Sequence, residues 1–221
     1  MYSNVFDTAN SRSAFPAMSA KAGRPVDQQK DRDILEAARE LAFEGGPKAL
    51  TMDRVASLAG VSKATLYARY ANRYDLLRAV VSSEAFAINQ TLDRTPASRE
   101  ELCRDLAGLI EALSAFIASE RHQRLIQALG TIPQDAQDLG EVYRNGPANT
   151  QRLLAEYLEA AAHSGLIECP EPLASAEMLL GMVMGLDLLR GQYRVPLERG
   201  SEEQCTRHAR RVLAAFLASH V

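Results

Sequence analysis

The 221-residue chain lacks the features of an extracellular, metal-binding or membrane protein. Its three cysteines, Cys103, Cys169 and Cys205, are too few and too far apart for a disulfide framework, and no Cys-x-x-Cys or Cys-His spacing suggests zinc. No stretch approaches the roughly 20 apolar residues of a membrane span, and residues 1–22 lack the apolar run of a signal peptide. We therefore expect a cytoplasmic protein without a cofactor, neither secreted nor inserted in a membrane.

Aromatic residues and catalytic motifs are also scarce. Aromatic side chains make up 6% of the chain and tryptophan is missing, so an aromatic cage for a cationic ligand is not evident. The sequence has no phosphate-binding loop, no HExxH and no nucleophile elbow. The four histidines are dispersed along the chain. We therefore predict that the protein is not an enzyme.

Charge is segregated along the chain, although the net charge is only −3. Residues 21–80 contain 11 basic and 8 acidic side chains, whereas residues 81–221 contain 13 and 19. The hydrophobic fraction of 47% is sufficient for a large core. The positive excess near the N-terminus is expected if only that part of the protein contacts phosphate.

Apolar residues recur with helical period from Asp27 onward, and no alternating segment is long enough to predict a strand. We therefore expect an all-α protein of nine or ten helices. The first helix is predicted over about 28–45, with a stop at Gly45-Gly46-Pro47. Its expected core stripe is Ile34, Leu35, Ala38, Leu41 and Ala42. Later helices are predicted over about 72–92, 98–119, 121–130, 135–145, 147–163, 172–191 and 202–219. The signals at their ends are N-caps at Asn72, Ser98 and Ser201, Pro147 in a first turn, and Gly165 as a stop.

Residues 51–77 predict a helix-turn-helix followed by a longer helix. Thr51 can cap the first short helix through its hydroxyl group, and Gly60 permits the sharp turn that follows it. Ser62 can then cap the second helix. The expected buried face of the first helix comprises Val55, Leu58 and Ala59.

The second helix of this motif has two different faces. Leu66 and Tyr70 lie one turn apart and should face inward, whereas Lys63 and Tyr67 lie one turn apart and should face outward. A polar outward face on such a helix is typical of a recognition helix that enters the major groove of DNA.

The motifs that surround this segment extend over about fifty residues. They are Gly23-Arg24-Pro25, Leu35-Glu36-Ala37-Ala38, Thr51-Met52, Val55-Ala56, Ala59-Gly60-Val61-Ser62-Lys63, Thr65-Leu66-Tyr67 and Leu76-Leu77. In order and spacing the chain resembles the TetR-type bacterial transcriptional regulators. Two positions depart from the family pattern, because Arg69 stands where histidine is common and Tyr74 where an acidic or polar residue is common.

The chain divides into three expected regions. Residues 1–22 are rich in Ser, Ala and Asn, so we expect a disordered tail there. The resemblance implies a three-helix DNA-binding domain over residues 23–73 and a larger helical domain for effector binding and dimerisation over residues 74–221. Lys21 and Arg24 can reach phosphate or the minor groove, or can belong to a solvated linker.

The predicted DNA contacts divide into base contacts and backbone contacts. Residues near the N-terminus of a recognition helix reach base edges, so the expected base contacts are Lys63, Ala64 and Thr65. The expected phosphate contacts are Thr51, Ser62, Tyr67, Arg69 and Arg73. Alternatives remain for three of them: Lys63 as a solvated charge, Tyr67 as a core residue, and Arg73 as a partner of Asp75.

The resemblance also implies a homodimer in which the two C-terminal helices form a four-helix bundle across a two-fold axis. The predicted interface residues are Met178, Gly181, Gly185, Val212 and Phe216. A Gly-x-x-x-Gly face can equally serve packing within one chain. Two recognition helices separated by about one DNA turn, roughly 34–36 Å, require a palindromic operator in double-stranded DNA.

A small-molecule effector is implied as well, in a pocket formed among helices four to eight. The candidate lining residues are Phe86, Phe116, His122, Gln127, Tyr143 and Asp187. Phe86, Phe116 and Tyr143 can instead be ordinary core residues, and the sequence does not identify the effector.

The favoured hypothesis is a repressor that its ligand releases from DNA. An activator, a repressor that requires its ligand, or a DNA-binding dimer without a ligand would have the same sequence features. A thiol-based redox sensor is a further alternative, in which Cys169, next to Pro170, is expected to be the most exposed cysteine.

Overall fold

The computed structural model describes residues 28–44, 48–130 and 137–220, and every regular element in that part of the chain is helical. The predicted all-α fold is therefore confirmed. The described elements are α1 (Gln28–Glu44), α2 (Met52–Leu58), α3 (Lys63–Tyr67), α4 (Arg73–Ile88), a 3-10 helix (Asn89–Leu92), α5 (Arg99–Ala118), α6 (Glu120–Leu129), α7 (Gln137–Asn145), α8 (Pro147–His163), α9 (Pro172–Met184), α10 (Asp187–Gln192) and α11 (Glu202–Ala218). The predicted N-terminal tail, Lys21, Arg24 and the Gly45-Gly46-Pro47 stop lie outside the described residues.

Buried apolar side chains form two clusters. The N-terminal cluster joins α1, α2, α3 and α4, and it also includes Leu125 and Ala128 of α6 and Val142 of α7. The C-terminal cluster joins α5, α8, α9 and α11. Helices α6 and α7 therefore pack directly against the N-terminal cluster.

The predicted core stripe of α1 is confirmed, but that of α2 is partly wrong. In α2 the inward residues are Met52, Val55, Ala56 and Ala59, which are spaced as i, i+3, i+4 and i+7. Leu58 lies outside this set and is 47% exposed. Val55 and Ala59 of the predicted face are therefore confirmed, and Leu58 is its one wrong member.

The predicted helix caps are present. Asn72 accepts hydrogen bonds from the backbone N–H groups of Tyr74 and Asp75, at 2.8 and 3.0 Å. Ser201 forms a reciprocal capping box with Gln204. Ser98 accepts from the N–H of Glu101 at 3.2 Å. Pro147 occupies the first turn of α8, and Gly165 follows that helix with a φ of +69°.

The predicted helix over 172–191 is interrupted, which corrects the prediction. Gly185 adopts a φ of +50°, a conformation that glycine tolerates best, and it separates α9 from α10. Arg199 donates to the carbonyl oxygens of Val183 and Met184, at 3.0 and 2.7 Å, and so satisfies the end of α9. Asp187 in turn accepts from Arg199 Nε at 2.6 Å.

A charged junction joins α1, α4 and α6. Glu84 of α4 is buried, and its Oε1 atom lies 2.7 Å from Arg39 of α1 and 3.1 Å from Arg121 of α6. Arg121 also lies over the ring of Phe43, at 4.6 Å from the centroid. The buried carboxylate therefore ties α1 to α6.

Among the described helices, none has both the length and the hydropathy to cross a lipid bilayer.

Candidate nucleic-acid interface

The corner between α2 and α3 is fixed by two side-chain caps and one glycine. Thr51 accepts from the N–H of Arg54 at 3.3 Å, and Ser62 accepts from the N–H of Thr65 at 3.1 Å. Gly60 has a φ of +63°, which allows the chain to reverse between the helices. These local interactions present α3 at a set angle, as a helix-turn-helix requires.

The outward face of α3 carries four predicted DNA contacts. The side chain of Lys63 is 65% exposed, Tyr67 is 51% exposed, and Ala64 is exposed. Thr65 is half-buried, and its hydroxyl group lies 2.8 Å from Ser62 Oγ. The hydroxyl group of Thr65 is therefore engaged at the cap of α3.

The inward face of α3 anchors it to the N-terminal cluster. Leu66 is completely buried, and Tyr70 packs against the same cluster, so the prediction that Tyr70 is a core residue is confirmed. Burial raises the pKa of the Tyr70 hydroxyl group, and the charge of Asp31 adds to the shift. Tyr70 therefore remains neutral at physiological pH.

Lys63 forms an ion pair with Asp53 that the sequence analysis did not predict. Lys63 Nζ lies 2.8 Å from Asp53 Oδ1, and the pair connects α3 to the first turn of α2. The hydrogen bond to Asp53 and the negative charge of that carboxylate raise the pKa of Lys63. Lys63 is therefore fully charged under all physiological conditions.

Arg69 interacts with the protein in a way that the sequence analysis did not predict. Its Nε donates to Asp31 of α1, and its Nη1 donates to the carbonyl oxygen of Thr65 at 3.2 Å. The side chain is only 23% exposed. Arg69 therefore links α1 to α3, and its expected phosphate contact stays a prediction.

Arg73 and Tyr74 form a pair at the start of α4. Arg73 Nη2 donates to the hydroxyl oxygen of Tyr74 at 3.0 Å, and the guanidinium carbon lies 4.8 Å from the ring centroid. Asp75, the alternative partner considered for Arg73, accepts instead from Arg78 at 2.8 Å and from the N–H of Ala71 at 3.1 Å. Tyr74, which departs from the family pattern, thus orients a cation beside α3.

Of the predicted effector-pocket residues, the structure brings Phe116 and His122 together. Their rings meet edge to face with centroids 5.2 Å apart, at the turn between α5 and α6. Burial lowers the pKa of His122, so the imidazole is held neutral. Phe116 packs against the N-terminal cluster.

The other four predicted pocket residues lie apart from this pair. Phe86 and Tyr143 are 58% and 57% exposed, and Gln127 is exposed on α6. Asp187 is buried near α9, where burial alone would raise its pKa but the hydrogen bonds from Arg199 and the backbone lower it. One groove of about 340 Å³ lies beside Arg199 and Arg190, and another of about 610 Å³ lies between α1 and α6.

A buried polar network between α5 and α8 was missed by the sequence analysis. Asp105 accepts from the hydroxyl group of Tyr157 at 2.9 Å and from Arg94 at 3.0 Å. A second buried hydrogen bond reaches α8 from the 3-10 helix, where the side-chain amide of Asn89 donates to the hydroxyl oxygen of Thr150 at 3.0 Å. Asp105 lies three residues after the buried Leu102, so helical periodicity applied to polar residues would have indicated it.

The predicted dimer residues divide into an exposed and a buried group. Met178, Gly181 and Gly185 are exposed, and Met178 has 57% of its surface accessible. Val212 and Phe216, by contrast, are buried in the C-terminal cluster of the same chain, at 5% and 0% exposure. This corrects the prediction for α11, because those two side chains face inward and have no surface to offer a partner.

The cysteines are less accessible than expected. Cys169, predicted to be the most exposed, is buried, and Cys205 is buried as well. Burial raises the pKa of the Cys205 thiol, which disfavours the reactive thiolate. Cys103 is partly accessible. Within the described residues, no group of three or more potential ligands is arranged to hold a metal ion.

Two family models match the chain. Residues 34–80 match the model for bacterial regulatory proteins of the tetR family, and residues 104–220 match the C-terminal domain of AefR-like transcriptional repressors. The first match spans α2, α3 and their turn, which are the elements that present the candidate interface. The second begins in α5 and extends to the end of α11.

Individual relatives agree with these matches. The chain is 32% identical over 142 residues to the uncharacterized HTH-type transcriptional regulator YdeS of Bacillus subtilis, covering 64% of this chain and 68% of that protein. A TetR-family regulator from Mesorhizobium loti has a similar structure, with a TM-score of 0.70 and 23% identity over 89% of this chain and 99% of the other. The FadR regulator of Bacillus subtilis, solved with stearoyl-CoA, gives a TM-score of 0.61 at 15% identity, covering 85% and 98%.

Proposed function

The chain belongs to the TetR family of bacterial transcriptional regulators, and from this premise we propose that it is a dimeric repressor that a small molecule releases from a palindromic operator. The observation that carries the DNA-binding part is the outward face of α3, where Lys63, Ala64 and Thr65 follow the Ser62 cap. These residues occupy the part of a recognition helix that meets base edges.

The proposed contacts have distinct roles. Lys63 donates to guanine, and Ala64 or the methyl group of Thr65 contacts a thymine methyl group. Tyr67 and Arg73 contact phosphate and so position the protein without selecting sequence. Thr51 and Ser62 lie at the N-termini of α2 and α3 and supply the remaining phosphate contacts. Arg69 holds α3 against α1 through Asp31, so we assign it chiefly a positioning role.

Dimerisation is proposed through the exposed face of α9. Leu173, Met178 and Gly181 lie on this face, and the two apolar side chains are each 57% exposed. Gly181 has no other atom within 4 Å of the position that a Cβ would occupy, which leaves room for the close approach of a partner helix. Burial of such side chains stabilises association by about 25 cal/mol for each Å² of apolar surface removed from water.

Effector release is proposed on the basis of the helical connection between the two ends of the chain. A ligand can release the protein from DNA only if it binds one of two conformations more tightly than the other. The junction of Arg39, Glu84 and Arg121 provides the route, because it can transmit a displacement of α6 to α1. The stearoyl-CoA complex of a protein with this fold supports a small-molecule effector in general terms. Phe116 and His122 are the predicted pocket residues retained in this proposal.

We propose a cytoplasmic location, as expected for a protein that acts on chromosomal DNA. A thiol switch is a weaker candidate than a ligand switch because Cys169 and Cys205 are buried. A DNA-binding dimer without an effector is the other alternative. Thermal-shift screening of metabolites against the purified protein would favour that alternative if no compound raised the melting temperature.

The test of DNA binding is fluorescence anisotropy with footprinting on the DNA that flanks the protein's own gene, at two salt concentrations because phosphate contacts make affinity salt-dependent. We expect a protected palindrome and tighter binding than to random DNA. Arg104→Ala is a matched control, since it removes an exposed positive charge from α5 and should leave the protection unchanged. Equal affinity for flanking and random DNA would count against an autoregulatory repressor.

A further inference from the structure

We propose that Asp53 is a specificity-determining residue, which positions Lys63 for base contact and lowers the affinity of the protein for DNA other than its operator. The inference rests on the proposed role of α3 as the recognition helix. It assigns a function to a carboxylate that the DNA contacts alone do not require.

The position of Asp53 is unusual for a protein that binds a polyanion. The first helix of a helix-turn-helix crosses the DNA backbone, and Asp53 lies in the first turn of α2, directly after the Thr51 cap and Met52. Its side chain is 66% exposed. A carboxylate at such a position is repelled by phosphate, and this repulsion is offset only where Lys63, held by Asp53, makes its base contact.

Folding does not account for the pair. Both side chains of the Asp53–Lys63 pair are about two-thirds exposed, at 66% and 65%, and exposed ion pairs contribute little to stability. Asp53 also lies near the N-terminus of α2, where a negative charge is mildly favourable. That interaction does not need Lys63, however, and so leaves the 2.8 Å contact between the two helices unexplained.

The contact restricts what Lys63 can reach. A lysine side chain is long and flexible, and its ammonium group has three donors. When one donor is held by Asp53 Oδ1, the ammonium group stays on the α2 side of α3 and has two donors left. Guanine presents two adjacent acceptors, O6 and N7, in the major groove, whereas adenine pairs its N7 acceptor with an amino donor and cytosine presents an amino donor. An untethered Lys63 would instead turn to the nearest phosphate, which every sequence supplies.

Asp53→Asn tests the inference by separating specific from non-specific binding. We expect affinity for scrambled DNA to rise by about threefold to tenfold while operator affinity changes by less than about twofold, so that the specificity ratio falls. Because the released Lys63 gains a phosphate contact, the slope of log K against log salt on scrambled DNA should become steeper by about 0.9. Asp53→Glu keeps the negative charge, so its specificity ratio and its salt slope on scrambled DNA should both lie close to those of the wild type.

Two controls distinguish positioning from a simple change of charge. Asp93→Asn removes an exposed carboxylate far along the chain from α2, and it should leave the specificity ratio unchanged. In a Lys63→Ala background, Asp53→Asn should no longer change the specificity ratio, since the group that it positions is gone.

Parallel changes on operator and scrambled DNA in Asp53→Asn would overturn the inference, as would a further fall of the ratio in the Lys63→Ala background. A lower melting temperature together with an equal loss of affinity on both DNAs would assign Asp53 a structural role instead and would also overturn it. If the wild-type protein itself did not distinguish operator from scrambled DNA, the proposed function would fail, and this inference with it.

Discussion

At the residue scale, the environment of each basic side chain decides its contribution to the interface. Lys63 and Arg69 both lie in or next to α3, and both were expected to contact DNA directly. Lys63 points outward with 65% of its side chain accessible, whereas Arg69 is 23% exposed and bonded to α1. Residue type and spacing predict the first role, but the second depends on Asp31, 38 residues earlier in the chain.

Lys63→Ala and Tyr67→Phe should have different effects on DNA binding. Loss of a base contact costs about 1–3 kcal/mol on the operator and relaxes sequence preference, so Lys63→Ala should lower operator affinity more than random-DNA affinity. Tyr67→Phe removes one hydroxyl group and should weaken binding to operator and random DNA by a similar free energy, about 0.5–1.5 kcal/mol. Anisotropy titrations on the two DNAs measure both effects. Equal losses on both DNAs for Lys63→Ala would remove it from the base contacts.

His122 should make stability sensitive to pH. Burial holds its folded-state pKa below the ordinary value of about 6.5, so the unfolded chain takes up a proton more readily than the folded protein does. Its contribution to stability is therefore present above about pH 6.5 and is lost as the pH falls toward the folded-state pKa. His122→Gln should show a smaller drop in melting temperature between pH 7.5 and 5.5 than wild type. An identical pH dependence in both proteins would exclude this role.

At the scale of the element, local sequence determines most helix starts but not every helix end. Asn72, Ser98 and Ser201 cap helices because their side chains bond to N–H groups two or three residues away, an interaction visible in sequence. The break at Gly185 is different, since Arg199 closes α9 from fifteen residues further along the chain. Hydrophobic periodicity continues across this break and therefore predicts one long helix.

The start of α8 depends on the close approach of α4. A Cβ at Gly146 would lie 2.6 Å from Val81 Cγ1 and 3.1 Å from the carbonyl oxygen of Val142. Gly146→Ala should therefore destabilise the protein by about 1–3 kcal/mol, the usual cost of overpacking. Gly191→Ala is the matched control, because no atom lies within 4 Å of its added methyl group. Chemical denaturation measures both, and similar stability of the two variants would refute the steric explanation.

At the scale of the whole molecule, a few long-range ion pairs connect the candidate interface to the rest of the chain. The junction at Glu84 joins residues 39, 84 and 121, which no local pattern relates. The sequence therefore predicts the recognition helix and the core stripes, but not the path that links them to an effector. For the same reason it does not separate Val212 and Phe216, which are buried, from the exposed face of α9.

Glu84→Gln should weaken the junction of Arg39, Glu84 and Arg121 and so lower the free energy of unfolding. Removing one partner of a fully buried ion pair costs about 3–5 kcal/mol, and an exposed pair contributes up to about 1 kcal/mol. Because Glu84 is buried while Arg121 is half exposed, we expect an intermediate loss, about 1–3 kcal/mol, in the free energy of unfolding. Glu156→Gln, which removes an exposed partner of Arg152, should cost less than about 0.5 kcal/mol. Equal losses in urea denaturation would contradict the structural role of the junction.

The central claim is that two copies of this chain recognise DNA symmetrically through α3. The most direct test is selection of binding sites from a random-sequence DNA library by the full chain, followed by sequencing of the enriched pool. We predict an inverted repeat whose half-sites are centred about 10 base pairs apart, or a multiple of that distance, with loss of enrichment at single positions for Lys63→Ala. An enriched site without two-fold symmetry, or a pool that remains random, would contradict the account.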